Sequence, residues 1–289
     1  MSAPRVVPAR HWGQWLTAVL LVAFVACLAI AVAGSKNIQW GVIPGYMLDP
    51  TILDGIRLTL LFTVLAMAIS IVAGVVLAVM RLASNPILSG FSSLYIWFFR
   101  GTPLLVQIIF WFNIQLFIPS IQLGAFRIET NSLISAFTAA LLALSLNEAA
   151  YVAEIVRGGL LAVDRGQKEA AAALGYTPYQ AMSRIILPQA LRVIVPPIGN
   201  QTISMLKTTS LVSVVAAQDL LTRAQNIYAR NFLVIELLTV ASIWYLAMTT
   251  VASIGQSAIE RRLGRSTTRE PPAWMRAVRR LADAIGRKA

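Results

Sequence analysis

Apolar residues fill long stretches of the chain, and polar ones gather in the gaps between them. Six stretches are long and apolar enough to cross a bilayer as helices: 15–33, 56–79, 94–118, 133–156, 193–215 and 232–254. The fifth is the least apolar. Arg5 and Arg10 precede the first, and AVAGS (31–35) after it has the small residues of a signal-peptide cleavage site. Its apolar run is longer than that of a typical signal peptide, so it is read as an uncleaved anchor. Either way the chain emerges on the outside near Gly34.

The gap between the fourth and fifth stretches is long and reads as helix. QKEAAAALG (167–175) carries four consecutive alanines. Asp164 is placed to cap it, and Gly175 follows as the residue able to take positive φ. Thr177, Pro178 and Gln180 then have the order of a capping box with proline at the first helical position. A second helix is expected from Pro178 to about Leu187, with Pro188 interrupting it. The gap is therefore a rigid helix–turn–helix elbow. The letters EAA also occur in NEAAYVAE (147–154), inside the fourth stretch.

Composition places these stretches in a membrane. The chain is 57% hydrophobic and 12% charged, more apolar surface than a soluble domain can hide. Its net charge of +12 sits mostly in short inter-span segments and in the tail, which points to anionic lipid rather than nucleic acid. Lys and Arg concentrate on the side that holds Arg81, Arg100, Arg157, Arg165, Lys168, Arg184 and Arg192. Lys36, Arg57, Arg127, Arg223 and Arg230 fall on the other side. By the positive-inside rule both termini and the elbow are cytoplasmic. One cysteine, Cys27, permits no internal disulfide, and a lone His11 offers no metal cluster. No internal repeat is visible, which argues against a carrier built from duplicated halves. Beyond Arg261 the tail is basic, and Trp274, Val278, Leu281 and Ile285 form an apolar stripe. The stripe reads as a surface helix on the inner leaflet, with a disordered tail as the alternative.

Charges at membrane depth face a cavity or a partner. Glu148, preceded by Asn147, lies in the fourth stretch. In the fifth, Asn200, Ser204, Lys207 and Thr208 share one helical face, after Pro196, Pro197 and Gly199 disturb the helix. Glu148, Asn200, Ser204 and Lys207 are candidates for a polar path between two subunits. The competing reading is a Glu148–Lys207 ion pair that only fixes packing. Thr59, Thr63, Ser70 and Gly74 form a small-residue stripe better suited to close packing than to a path. In Arg100-Gly101-Thr102-Pro103, Thr102 is expected to cap a helix that opens at Pro103, with Arg100 at the cytoplasmic end of the third span. Glu154 and Arg157, three apart, make a local ion pair by default; a contact to the elbow is the alternative.

Glu169-Ala170-Ala171, then Gly175, Ile185 and Leu187-Pro188 at their spacings resemble the EAA loop of the permease subunits of ATP-binding-cassette importers. FFRGTPLLVQ (98–107), AYVAEIVRGGLLAV (150–163), LPQALRVIVPPIGNQ (187–201) and LKTTSLVSVV (206–215) resemble the polar amino-acid branch of that family (histidine, glutamine and arginine type). The resemblance runs from about 54 to 262. It implies an all-α, type I (MetI-like) transmembrane domain with a five-helix core. The remainder is an extra N-terminal helix and loop (1–53) and a basic cytoplasmic tail (263–289). It further implies an inner-membrane subunit that moves polar amino acids inward and is not itself an enzyme. The elbow would be a coupling helix seated on an ATPase subunit, paired with a second permease subunit, alike or different, and served by an extracytoplasmic binding protein. No G-x-x-x-x-G-K-[ST] occurs, so this chain would hold no cofactor, and ATP with its Mg would belong to the partner ATPase. A permease for an osmolyte or peptide is the nearest alternative, and a self-contained channel or secondary carrier a more distant one.

Overall fold

The computed structural model describes residues 12–35, 37–123 and 126–263. In chain order the helices are α1 (Trp12–Ala33), α2 (Ile43–Met47), α3 (Pro50–Leu82), α4 (Pro86–Gly101), α5 (Leu104–Phe112), α6 (Thr130–Leu133), α7 (Ala136–Leu161), α8 (Arg165–Ala173), α9 (Pro178–Ala181), α10 (Leu187–Thr208), α11 (Leu220–Asn231) and α12 (Val234–Leu263). A small antiparallel hairpin, β1 (Ser120–Leu123) with β2 (Phe126–Glu129), joins α5 to α6 and is the one departure from an all-helical chain among the described residues. The tail stripe at Trp274–Ile285 and the arginines of the N-terminal tail lie outside the described residues.

Four helices pass as spans on length and composition: α1, α3, α7 and α12. The stretch expected as one span at 94–118 is instead a broken pair. α4 and α5 meet at 101° around Thr102-Pro103. Proline has no N–H to continue α4 and disfavours helical backbone in the residue before it, so the helix stops and restarts. The fifth stretch is α10 followed by a 3-10 turn over Thr209–Val215, ending at Ala216 in left-handed backbone.

The centre of the molecule is the α3–α7 pair, the most extensive helix contact. With lipid outside, apolar burial does not drive helices together, so close backbone approach and hydrogen bonds must. The stripe on α3 serves this. Thr59, Thr63, Ser70 and Gly74 are all buried. Ser70 Oγ donates to Ser145 O at 2.9 Å. A Cβ on Gly74 would stand 2.6 Å from Val152 Cγ1, so only glycine allows the approach. α1 contrasts with this core: its Leu16–Ala33 stretch is 0% buried.

At the far end from the elbow, α11 is fastened to α3 and α12. Buried Asp219 caps it, accepting from Thr222 N at 3.0 Å, Leu221 N at 3.2 Å and Tyr245 Oη at 3.1 Å. Burial raises the Asp219 carboxyl above the ordinary carboxylate range, while these bonds pull it back. Leu220 N donates to Thr59 Oγ1 at 3.1 Å. The segment after α1 is held to the same end: Gln39 N donates to Glu236 Oε1 at 2.8 Å and Trp244 Nε1 to Met47 O at 3.0 Å.

Candidate functional site

The elbow forms as its caps dictate. Asp164 Oδ1 accepts from Gly166 N at 2.6 Å and starts α8. Gly175 ends it at φ 76°. Gly175 N reaches Ala172 O at 3.0 Å and Tyr176 N reaches Ala171 O at 3.1 Å, the paired bonds of a Schellman turn. The capping box is complete: Thr177 N donates to Gln180 Oε1 at 2.9 Å and Gln180 N to Thr177 Oγ1 at 3.3 Å. Gln189 Nε2 to Gln167 Oε1, 3.1 Å, ties α8 to the start of α10.

One expectation fails here. Pro188 does not interrupt the second helix. From Pro178 the chain runs through α9 and a π turn (Met182–Ile186) directly into α10. Proline has no N–H to bond the preceding turn, and the wider π turn absorbs the misfit just before it. α10 is thus mechanically continuous with the elbow.

The elbow presents a surface. Only Ala171, 1% exposed, is buried beneath α8; Lys168, Glu169, Ala170, Ala172 and Gly175 are exposed. Leu174 is 75% and Tyr179 80% exposed, one on each side of the turn. Two exposed apolar groups beside small alanines offer a docking face with little to obstruct it. Ile185 is half-buried, Ile186 fully buried, and Leu187 and Pro188 exposed at the base.

Along α10, Asn200, Ser204 and Lys207 lie exposed on one face and Thr208 is half-buried. Glu148 is 8% exposed on α7, and Gln201 Nε2 donates to its Oε1 at 2.9 Å. The Glu148–Lys207 ion pair is absent; the ion pairs among the described residues are Arg127–Glu129 and Glu154–Arg157. Gln201 therefore stands between a buried acid and an exposed polar stripe. A polar face at membrane depth cannot sit against lipid tails, so it requires an aqueous cavity or a partner.

The broken pair is held by amides. Gln107 Nε2 donates to Thr102 Oγ1 at 2.7 Å and to the carbonyls of Thr102 and Phe99 at 3.2 Å. Asn147 Nδ2 donates to Phe99 O at 2.8 Å and to Gln107 Oε1 at 3.3 Å. Thr102 does not cap α5: its Oγ1 donates back to Phe98 O at 2.9 Å, and Pro103 takes the N-cap position with no side chain to offer. A Gln107→Leu change strands these groups, and about 1–3 kcal/mol of stability should go with them. A drop in the melting midpoint of the detergent-purified protein would record it. Arg100 stacks over Tyr151 at 5.2 Å, a cation–π contact that fixes the end of α4. Glu154 and Arg157 form the local pair, 2.7 and 3.2 Å, and neither side chain bonds the elbow among the described residues.

Sequence reasoning passed over Gln107, Gln189 and Gln201. Each is an uncharged amide in an apolar setting, and that contrast was the available signal.

The chain can be compared with known proteins on this basis. A family described as binding-protein-dependent transport system inner membrane component matches residues 70–265. The arginine transport system permease protein ArgU of Corynebacterium glutamicum is 42% identical over 281 residues, 96% of this chain and 88% of that protein. The glutamine transport system permease protein GlnP of Escherichia coli is 34% identical, covering 74% of this chain and 93% of its own length. A crystal structure of an amino acid ABC transporter with histidines superposes with a TM-score of 0.69 at 36% identity, covering 78% of this chain and 99% of that one. The MetNI methionine ABC transporter, 20% identical, shares the fold with a TM-score of 0.60 over 80% of this chain and all of that one.

Proposed function

We propose what this subunit carries, and what drives it, from one premise: the chain belongs to the family of binding-protein-dependent transport system inner membrane components. It is a membrane-embedded transport subunit and not an enzyme. Its cargo is a polar amino acid, with arginine the first candidate because the arginine permease ArgU is similar over nearly its whole length. It resides in the inner membrane with both termini and the elbow in the cytoplasm.

What supports the drive is a single continuity. Tyr179 lies on the helical path that runs from Pro178 to Asn200, Ser204 and Lys207, and the Gln189–Gln167 bond ties α8, with Leu174 at its end, to that path. A separate ATPase subunit docks on the elbow and holds the ATP and Mg. A second permease subunit, alike or different, faces the polar stripe across the path. An extracytoplasmic binding protein delivers the amino acid. The ammonium of the cargo meets Glu148 and its carboxylate meets Lys207, with Asn200, Ser204 and Gln201 serving its polar groups. Closure of the ATPases on ATP pulls the elbow and turns α10, which switches access from one side to the other.

The test is uptake of labelled arginine into liposomes containing this chain with its co-expressed ATPase and binding protein. ATP inside and binding protein outside should both be required. Arginine uptake that persists without the ATPase would show a self-contained carrier. ATP-dependent uptake of a peptide or osmolyte in place of any amino acid would replace the cargo and keep the drive.

A further inference from the structure

A cavity of about 280 Å³ opens between α10 and α12, apart from both the docking face and the polar stripe. Pro196, Gly199, Thr202, Gly255, Gln256 and Glu260 are among its lining residues. Pro196 and Pro197 are adjacent inside α10, and neither has an N–H to give to the preceding turn. The hydrogen-bond ladder of α10 is therefore weakest between the elbow it starts from and the polar face it carries.

Gln256 of α12 bridges this weak point. Its Nε2 donates to Pro196 O at 3.1 Å and to Glu260 Oε1 at 2.9 Å. Both partners are acceptors, so the amide nitrogen must be the end that points to them. Gln256 Oε1 is buried with no partner among the described residues. Gly199 makes room: a Cβ there would stand 2.8 Å from Gln256 Cδ and 3.1 Å from Nε2.

We propose that Gln256 is a positioning residue for transport, a latch that holds α10 at its double-proline hinge so that movement of the elbow turns the polar face instead of being lost in the hinge. This rests on reading the chain as an ATP-driven permease. Glu260 can keep hold of Nε2 when Pro196 moves away, and the adjoining cavity gives the side chain space to follow. The latch thus has two arrangements, as a switching element needs.

The experiment compares wild type with Gln256→Met, which keeps the length and removes the donor, and Gly199→Ala, which displaces the latch without altering it. Each is co-expressed with the ATPase and binding protein and placed in liposomes. The readouts are labelled arginine taken up per ATP hydrolysed and amide exchange over residues 198–204. A residue that matters only for packing would change the melting midpoint and leave the ratio alone. Both variants should assemble, exchange faster at 198–204, and fall about three- to tenfold in arginine per ATP. A wild-type ratio in both variants overturns the latch. If wild type itself takes up no arginine, the cargo assignment falls instead, and exchange at the wild-type rate in both variants then overturns the latch separately.

Discussion

Replacing Gly175 by valine should leave this subunit folded in the membrane, weaken its hold on the ATPase and cut ATP-driven uptake. The reason is local. Gly175 sits at φ 76°, and a Cβ built there meets nothing within 4 Å, so the defect is in backbone conformation and not in packing. Left-handed backbone costs an L-residue about 1–2 kcal/mol, and a β-branched one is among the worst placed to bear it. The Schellman bonds of Gly175 and Tyr176 to Ala172 and Ala171 depend on that conformation. Without them α8 no longer meets the capping box at Thr177 in one geometry, and the docking face loses its shape. A penalty of about 1–2 kcal/mol lowers the fraction of elbows in the docking geometry roughly 5- to 30-fold, and ATP-driven uptake should fall with it. Gly175→Asn is the control, since asparagine tolerates left-handed backbone, and it should retain most activity. Uptake and ATPase co-purification at wild-type levels in Gly175→Val would remove the elbow from the coupling path.

Glu148→Gln should depress uptake without disturbing the fold. The replacement keeps an oxygen at the position where Gln201 Nε2 now donates at 2.9 Å, so the α7–α10 contact survives and only the charge is lost. If the cargo's ammonium pairs with that charge, the loss is a hydrogen bond to a charged group, about 1.5–3 kcal/mol, or roughly ten- to hundredfold in uptake at low arginine. The melting midpoint should stay where it is. Unchanged uptake would make Glu148 a packing residue whose acid is incidental, and the path would then rest on Asn200, Ser204 and Lys207 alone.

The caps of the elbow are legible in the sequence because each depends on neighbours within three or four positions. Asp164, Gly175 and the Thr177–Gln180 box need no knowledge of the rest of the chain. The same holds for the small residues on α3, whose spacing alone marks a packing stripe. What hydropathy cannot supply is direction. The run 94–118 is apolar throughout, so it reads as one span, while Pro103 turns the chain through 101°. Pro188 shows the converse: it reads as a break, and a π turn carries the helix past it. α11 is hidden for a different reason. It is short and polar between two apolar stretches, and its place is set by Asp219, Tyr245 and Thr59, which are far apart in sequence. The Glu148–Lys207 pairing fails likewise, since charge and depth say nothing about which face of α10 turns toward α7. Gln201 takes that face, and Lys207 is exposed on the stripe with Asn200 and Ser204.

The central claim is that an ATPase subunit sits on the elbow and moves α10 from there. Leu174, 75% exposed at the turn, is the best place to ask. A photo-reactive amino acid placed at Leu174 in the purified transporter should, on illumination, join this chain to the ATPase subunit in complexes that import arginine. If position 174 yields only links within its own chain or to lipid, while the same complexes import arginine, the ATPase does not dock here and the account is wrong.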